Sequence, residues 1–351
     1  MSLKYKIFQV QTSDQFSQLS TLVPGLKNYE NDFLSQNKWA FAFLAVADQK
    51  AIGYSICHLA HSWRGMNMAL DDIFIVDDSS INREDLGKSL YSATKEFSEK
   101  SRATQLRSFF KFPFKFDYES FGCKDLSVTE FWDLLHLPRS AIDQINSAKL
   151  RDLTGFKIQP ATKNDIPKIF NMMKDLSVYL NWENDFWLTE KVVLDQFGNE
   201  GNVTLKSINS LEKPLKIWVV KSDGPDGEIV GYSIAVPSFS VHSETLYESD
   251  SESSSNEIIG RYMYLEDLYV KPEFRKKSIG INLIKNLCNF ATQNNCKAIR
   301  WACVRSNVAG LKFYAQLGAE NLVDSRKVIP FQENFECVLK GDREGWLEYV
   351  I

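Results

Sequence analysis

The sequence contains few of the residues that build metal sites and hydrolytic triads. Its four histidines, His58, His61, His136 and His242, form none of the H-x-x-x-H or H-E-x-x-H patterns typical of zinc sites. Its six cysteines include no C-x-x-C pair. We therefore predict no metal site and no histidine-based triad, and we expect reduced cysteines that are buried as small apolar side chains.

The 351-residue chain also lacks excess positive charge and long apolar runs. A formal net charge of -4 favours neither nucleic-acid binding nor attraction to an anionic membrane. The longest apolar stretches are too short to span a bilayer, and no signal-peptide region follows Met1. We therefore expect a cytosolic or nuclear protein and predict the cytoplasm. With 44% apolar residues, the length suits about two globular domains of roughly 100–200 residues each.

Short segments recur in the same order in the two halves of the chain. Residues 51–56 (AIGYSI) match residues 229–234 (IVGYSI), and residues 70–76 (LDDIFIV) match residues 265–270 (LEDLYV). Asp72 and Asp267 are 195 residues apart, and Gly87 and Gly280 are 193 apart. Ordered matches at a nearly constant offset indicate an internal duplication. We therefore predict two units, residues 1–150 and 151–351.

The pattern of the second copy predicts a mixed α/β layer fold. Apolar residues with helical spacing follow a cap signal at Thr162, and Gly318 ends the last predicted helix. The stretch 138–153 has no strand pattern and separates the copies. The predicted order is a helix over 166–176, strands over 216–221, 228–234 and 261–270, a helix over 279–291, a strand over 298–304, a helix over 308–317, and a strand over 335–339 that closes the copy.

A serine- and acid-rich segment, residues 243–257, accounts for most of the extra length of the second copy. Its composition predicts a solvated loop. The alternative is a rim of the site that phosphorylation would tune.

The segment 264–281 is the most informative part of the sequence. It has the pattern of a strand, a loop with Arg275, Lys276 and Lys277, and a helix. A helix N-terminus offers unpaired N–H groups and a positive dipole end, which suit a phosphate. A second motif follows, which runs from Asn307 through Tyr314.

With these motifs, residues from about 156 to 340 resemble the GNAT superfamily of acetyl-CoA-dependent N-acetyltransferases. The similarity is greatest to the diamine acetyltransferases of the spermidine/spermine and thialysine group. The shared segments are 158–162 (IQPAT), 188–190 (LTE), 264–270 (YLEDLYV), 274–280, Asn307 and 313–319 (FYAQLGA). The resemblance implies a tandem GNAT-like fold, acetyl-CoA as co-substrate and a small-molecule primary amine as substrate.

The resemblance also implies a role for each matched residue. Tyr314 would protonate the departing CoA thiolate, and Glu266 would draw the proton from the amine through water. The implied cofactor-binding residues are Leu268, Tyr269 and Val270 at the pantetheine arm, Arg275, Lys276, Lys277, Ser278, Ile279, Gly280 and Ile281 at the pyrophosphate, and Asn307 and Gly310 on the other flank. The implied substrate-binding residues are Tyr179, Glu183, Glu266 and Asp267.

Each of these residues also has a purely structural interpretation. Glu266 and Asp267 would be an acidic strand end, and Tyr314 a core tyrosine. Asn307 would be a helix N-cap. The basic residues of the loop would be a solvated turn.

The second copy departs from the family at three positions. Ser278 and Lys276 stand where relatives have glycines, which allow close backbone approach to phosphate and positive φ values. Leu180 stands where relatives have a glutamate, which argues against spermidine as the best substrate. Glu183 and Asp185 would compensate in part.

The first copy departs further from the family pattern. Its loop is Asn82-x-x-Asp85-x-Gly87, which places a carboxylate where the pyrophosphate would lie. Asp72 and Tyr118 remain as remnants. We predict a catalytically inactive first copy that packs on the second as a dimer mate would, over more than about 1,000 Å². The two halves would then form a pseudo-dimer within one chain, and the chain itself could be a monomer. The alternative to an enzyme is a non-catalytic module that binds acyl-CoA or a protein partner.

Overall fold

The computed structural model describes residues 4–36, 38–101, 103, 105–108, 124–125, 132–196, 215–224, 227–241, 259–321 and 335–337. The acidic segment 243–257 and Tyr118 lie outside these residues.

The described chain forms strands and helices in a mixed α/β order. The strands are β1 (Lys6–Gln9), β2 (Phe41–Ala47), β3 (Lys50–Ser62), β4 (Gly65–Ile75), β5 (Gln105–Ser108), β6 (Lys124–Asp125), β7 (Trp132–Pro138), β8 (Phe156–Pro160), β9 (Lys216–Ser222), β10 (Ile229–Ser240), β11 (Gly260–Val270), β12 (Ala298–Val304), β13 (Glu320–Asn321) and β14 (Phe335–Cys337). The α-helices are α1 (Ser13–Leu22), α2 (Glu30–Leu34), α3 (Arg83–Lys100), α4 (Arg139–Ser147), α5 (Ile166–Tyr179), α6 (Glu190–Gln196), α7 (Ile279–Gln293) and α8 (Val308–Gln316).

The strands form two sheets of seven with the same arrangement. The first sheet has the order β1-β2-β3-β4-β5-β14-β6, and the second has the order β8-β9-β10-β11-β12-β7-β13. In both sheets the fourth and fifth strands are parallel, β4 with β5 and β11 with β12, and the other neighbours are antiparallel. The mixed α/β fold class is confirmed, in two copies.

The two sheets exchange one strand each. β14, which we predicted to close the second copy, pairs instead with β5 and β6 of the first sheet. β7, from the first half of the chain, lies between β12 and β13 of the second sheet. The prediction that β14 closes its own copy was therefore wrong, because a strand pattern specifies extended backbone and a buried face but not the neighbouring strand.

Helix α4 fills part of the stretch in which the sequence shows no strand pattern. Its buried side chains Ala141, Ile142 and Ile145 join the core of the second sheet, together with Leu135 and Leu137 of β7. Residues before position 150 thus complete the second sheet. The division into copies at residue 150 stays a prediction.

Matched residues of the repeat make matched contacts. The Tyr54 hydroxyl donates to Asp72 Oδ2 at 2.8 Å, and the Tyr232 hydroxyl donates to Asp267 Oδ2 at 3.2 Å. A Cβ atom at Gly231 would lie 3.0 Å from the Tyr269 carbonyl oxygen, so a side chain there would crowd the neighbouring strand. The repeated segments therefore reflect equivalent positions in the two sheets.

The halves contact each other through polar and apolar side chains. The Arg261 guanidinium lies 2.8 Å from the buried Asp32 carboxylate, and the Tyr29 hydroxyl donates to the Ile259 carbonyl at 2.9 Å. Phe239 of β10 packs against the rings of Tyr29 and Phe33 within a core cluster of the first half. Side chains of the first half are thereby fixed against the second sheet.

The cysteines that the structure describes with side chains, Cys57, Cys288, Cys296 and Cys303, are buried. This confirms the predicted burial of those four. Across the described ranges, no group of three or more His, Cys, Asp or Glu side chains is placed to hold a metal ion. Within the same ranges, no helix is both long and apolar enough to cross a bilayer.

Candidate active site

The two central strands of the second sheet separate along their length. β11 and β12 pair only over residues 262–264 and 298–300, whereas β11 stays paired with β10 as far as Val270. Beyond that stretch, the edge of β11 that faces β12 has no strand partner among the described residues. Such an edge presents backbone N–H and C=O groups to an extended ligand. Leu268 and Tyr269, predicted to meet the pantetheine arm, lie there.

A β-bulge places Glu266 at the start of this opening. Asp267 is the register partner of Ile234, and Leu265 is the partner of Ala235, so Glu266 is the extra residue. It is half-buried, whereas Asp267 beside it is buried. Bulges often re-aim side chains beside active sites.

A cavity lies where the strands separate, and both halves of the chain line it. It encloses about 800 Å³ including its open mouth. The second half supplies Glu266, Asp267 and Tyr314, three of the five residues predicted to be catalytic or substrate-binding. The lining residues are Ser62, Trp63, Arg64, Arg107 and Trp132 from the first half, and Leu176, Leu180, Trp182, Tyr264, Glu266, Asp267, Leu268, Ala302, Cys303, Val304, Asn307 and Tyr314 from the second.

The hairpin turn between β3 and β4 reaches into the second half. Ser62 and Gly65 are paired, so Trp63 and Arg64 form a two-residue turn. The Trp63 carbonyl accepts hydrogen bonds from the backbone N–H groups of residues 187 and 188 at 3.0 and 2.9 Å. The Trp63 indole N–H donates to Asp267 Oδ1 at 2.9 Å. The first half thus supplies a wall of the cavity.

Asp267 is a buried carboxyl group that is hydrogen-bonded on both oxygens. Trp63 donates to one oxygen and Tyr232 to the other, at 2.9 and 3.2 Å. Burial raises the pKa of Asp267 to about 7, although the two hydrogen bonds favour the charged form and act in the opposite direction. The carboxyl group therefore exchanges its proton near neutral pH.

This raised pKa predicts a pH-dependent stability that Asp267→Asn removes. Between about pH 4 and pH 7 the unfolded chain has released the Asp267 proton while the folded chain still holds it, so stability falls as pH rises through this range. The stability of the asparagine variant relative to wild type should rise across the same range by up to roughly 4 kcal/mol. Urea unfolding of both proteins at pH 4, 5.5, 7 and 8 measures the difference. If the unfolding free energies of the two proteins differ by the same amount at all four pH values, the pKa of Asp267 is not raised in the folded chain.

Tyr314 lies on α8 and faces the cavity beside Trp301 and Cys303. Its ring centroid is 4.7 Å from that of Trp301. Desolvation raises the pKa of Tyr314, and the neighbouring acidic groups of Cys303 and Asp267 raise it further, so the phenol keeps its proton. Burial raises the pKa of Cys303 to about 12, with a further contribution from Asp133. The cavity thus holds a protonated phenol and a thiol that stays neutral.

The basic loop before α7 has the backbone conformation that its family glycines would adopt. Lys276 and Ser278 have φ values of 61° and 62°. The first turn of α7, Ile279, Gly280 and Ile281, follows Ser278, whose side chain makes no cap hydrogen bond. Left-handed residues beside a helix N-terminus direct successive N–H groups into one concave surface. The conformation is compatible with a bound pyrophosphate even though both glycines are absent.

The cationic side chains of this loop contact neighbouring aromatic rings. Arg275 donates from Nε to the Val270 carbonyl at 3.0 Å, and its guanidinium lies 4.8 Å from the ring centre of Tyr179. Lys277 lies 4.9 Å from the ring centre of Phe274. These contacts hold positive charge close to the helix N-terminus.

The corresponding loop of the first half has a different conformation. Asn82 caps α3, and its side-chain oxygen accepts from the Asp85 N–H at 3.3 Å. Asn82 Nδ2 in turn donates to the Asp85 carboxylate at 2.5 Å. The helix N-terminus is thus capped by the chain's own polar groups and carries a negative charge.

Asn307 is the N-cap of α8, and its side-chain oxygen accepts from the Gly310 N–H at 3.0 Å. A Cβ atom at Gly310 would lie 2.5 Å from the Asn307 amide nitrogen, so the cap requires a glycine there. The structural interpretation of Asn307 therefore holds. Asn307 also lies in the cavity wall, where the cofactor role was predicted.

The structure does not bring every predicted substrate residue to the cavity. Tyr179 is 47% exposed and Glu183 is exposed, and neither is among the lining residues. Their neighbours Leu180 and Trp182 line the cavity instead. The side chain of Asp185 lies outside the described residues.

None of the five lining residues of the first half, Ser62, Trp63, Arg64, Arg107 and Trp132, was predicted. One sequence signal was available, since two-residue hairpin turns favour Gly, Asn and Asp, whereas this turn is Trp63-Arg64.

Residues 179–319 match the model of the acetyltransferase (GNAT) family. The matched residues include the diverging strands β11 and β12, the loop before α7 and Tyr314.

The chain is also similar to curated acetyltransferases. It is 27% identical over 170 residues to the thialysine N-epsilon-acetyltransferase of Bos taurus, covering 48% of this chain and 86% of that protein. It is 28% identical over 186 residues to the spermidine/spermine N(1)-acetyltransferase-like protein 1 of Homo sapiens, covering 52% of this chain and 23% of that protein. Among solved structures, a tandem GNAT protein from the clavulanic acid biosynthesis pathway has a TM-score of 0.45 and 11% identity, covering 91% of this chain and 95% of that chain.

Proposed function

We propose that the protein transfers an acetyl group from acetyl-CoA to a primary amine of a small molecule, in one working site per chain. The observation that carries the proposal is that Glu266, Asp267 and Tyr314 line one cavity at the opening between β11 and β12. The GNAT domain and the similarity to acetyltransferases that act on amines support it.

The proposed chemistry assigns each group one task. Glu266 accepts a proton from the bound ammonium through water, since an ammonium has no lone pair to attack a thioester. The free amine attacks the thioester carbonyl, the C–N bond forms and the C–S bond breaks. The Tyr314 hydroxyl gives its proton to the leaving thiolate. The nitrogen loses its second proton as the amide forms, which restores the Tyr314 phenol, and Glu266 releases its proton to water. Overall, the ammonium and acetyl-CoA give the amide, CoA and one proton.

The raised pKa of the cavity cysteine favours direct transfer over an acyl-enzyme. Cys303 is the cysteine that lines the described cavity, and a pKa of about 12 leaves almost no thiolate at neutral pH. The protein then has to hold the amine and the thioester together, which by itself supplies much of the rate.

The loop before α7 fits the cofactor by its conformation. The left-handed residues Lys276 and Ser278 and the uncapped first turn of α7 would hold the pyrophosphate by backbone N–H groups. In the first half, Asp85 occupies the equivalent helix start. We therefore assign cofactor binding to the second half alone.

Acetyl-CoA binding followed by thiol release tests the function. We expect calorimetry to give one bound acetyl-CoA per chain and a thiol-reactive dye to report CoA release with some members of a primary-amine panel. Binding without release from any amine would support the non-catalytic acyl-CoA-binding module instead. A second acetyl-CoA equivalent would contradict the inactive first half.

Ser278→Asp is expected to weaken acetyl-CoA binding by about 10- to 100-fold, because it places a carboxylate where the pyrophosphate would accept hydrogen bonds. Ser278→Gly is the matched control and should keep or tighten binding, since glycine adopts a φ of 62° without strain. Calorimetry measures both. Equal affinity of the aspartate variant and wild type would exclude this loop as the pyrophosphate site.

A further inference from the structure

Two arginines of the first half line the cavity of the second. Arg64 stands on the hairpin turn beside Trp63 and is 6% exposed. Its guanidinium lies 4.8 Å from the ring centre of Trp187, and stacking on that ring orients it. Arg64 therefore brings a fixed, permanent positive charge to the cavity wall.

Arg107 reaches the same cavity from β5 of the first sheet. It is 5% exposed, and its Nε donates to Gln105 Oε1 at 3.2 Å. The residue 193 positions later, Arg300, is equally buried but contacts His136 and Tyr262 and does not line the cavity. Arg107 thus lines this cavity, whereas its counterpart in the repeat does not.

The cavity has charges of both signs, and each half supplies one sign. β11 supplies the carboxyl groups of Glu266 and Asp267, and the first half supplies the guanidinium groups of Arg64 and Arg107. A polyamine would place a second ammonium beside guanidinium groups that solvent screens poorly. A molecule with an amine and an anionic group matches both signs.

We propose that the acceptor amine carries an anionic group, a carboxylate or a phosphate, that Arg64 and Arg107 bind. This inference rests on the proposed function and names its substrate class. Guanidinium groups bind both anions through paired N–H donors. The first half is then a specificity element that contributes to the working site rather than an inert remnant.

Matched substrate pairs test the proposal on the full chain. L-lysine and 1,5-diaminopentane differ by the carboxylate, and glucosamine 6-phosphate and glucosamine differ by the phosphate. Thiol release from acetyl-CoA gives kcat/KM for each. We expect the wild type to prefer the anionic member of at least one pair by about 10- to 100-fold, and the pair that shows the preference identifies the anion.

Arg64→Met and Arg107→Met should each reduce this preference about 10-fold or more by lowering kcat/KM for the anionic member. Arg64→Lys should have a smaller effect, because lysine keeps the positive charge and loses only the paired N–H donors of the guanidinium group. Arg300→Met is the matched control for a buried arginine outside the cavity and should leave the preference unchanged. Thermal unfolding checks that each variant folds.

The outcomes separate this inference from the proposed function. Thiol release with no preference in either wild-type pair, or with a preference for 1,5-diaminopentane and glucosamine, overturns the inference and leaves the acetyltransferase proposal standing. A loss of activity in Arg64→Met that is equal for both members of a pair also overturns it, because the arginine then acts on folding alone. No thiol release from any amine overturns both proposals.

Discussion

Tyr314→Phe is expected to lower kcat by about 100- to 10,000-fold while leaving the affinity for acetyl-CoA close to that of wild type. The substitution removes one hydroxyl group and keeps the ring that packs 4.7 Å from Trp301. It therefore deletes the proton donor for the leaving thiolate without opening the wall of the cavity. Calorimetry gives the affinity, and thiol release at saturating amine gives kcat.

The matched control is Tyr5→Phe. The Tyr5 hydroxyl is 2.9 Å from that of Ser89, in the first half and away from the cavity. Its loss should leave kcat unchanged. Wild-type turnover in Tyr314→Phe at saturating amine would show that another group protonates the thiolate.

The sequence predicted the parts of the site that lie close together along the chain. The strand, basic loop and helix over 264–281 form one contiguous motif, and the segment from Asn307 to Tyr314 forms a second. In each, local pattern determines local structure, so β11, α7 and α8 match the prediction closely. Lys276 and Ser278, which stand where relatives have glycines, both adopt left-handed φ values.

The parts that the sequence did not predict depend on contacts between distant segments. Trp63 donates a hydrogen bond to Asp267, which lies 204 positions later in the sequence, and no local pattern links the two residues. Arg107 and Arg300 occupy equivalent places in the repeat, yet only Arg107 lines the described cavity. The difference arises from how the two halves pack, which the pattern of one copy does not contain.

The exchanged strands make the two halves interdependent. β7 fills the gap between β12 and β13, and α4 packs beside α7 in the core of the second sheet. A fragment that begins at residue 151 loses both elements. Their buried leucines and isoleucines, Leu135, Leu137, Ile142 and Ile145, contribute about 2 kcal/mol each. The sum approaches the entire stability of an ordinary domain, which is about 5–15 kcal/mol.

We therefore expect the fragment 151–351 to show no cooperative thermal unfolding and no acetyl-CoA binding on its own. Fragment 1–150 should be unstable as well, since its sheet lacks β14. Mixing the two fragments should restore cooperative unfolding and one acetyl-CoA site, because each then supplies the strand that the other needs.

Fragment 132–351 is the matched control. It retains β7 and α4 and should regain a folded second sheet while lacking Trp63, Arg64 and Arg107 of the amine cavity. If fragment 151–351 alone unfolds at the temperature of the full chain and binds acetyl-CoA with the same affinity, the exchanged strand does not stabilise the second sheet.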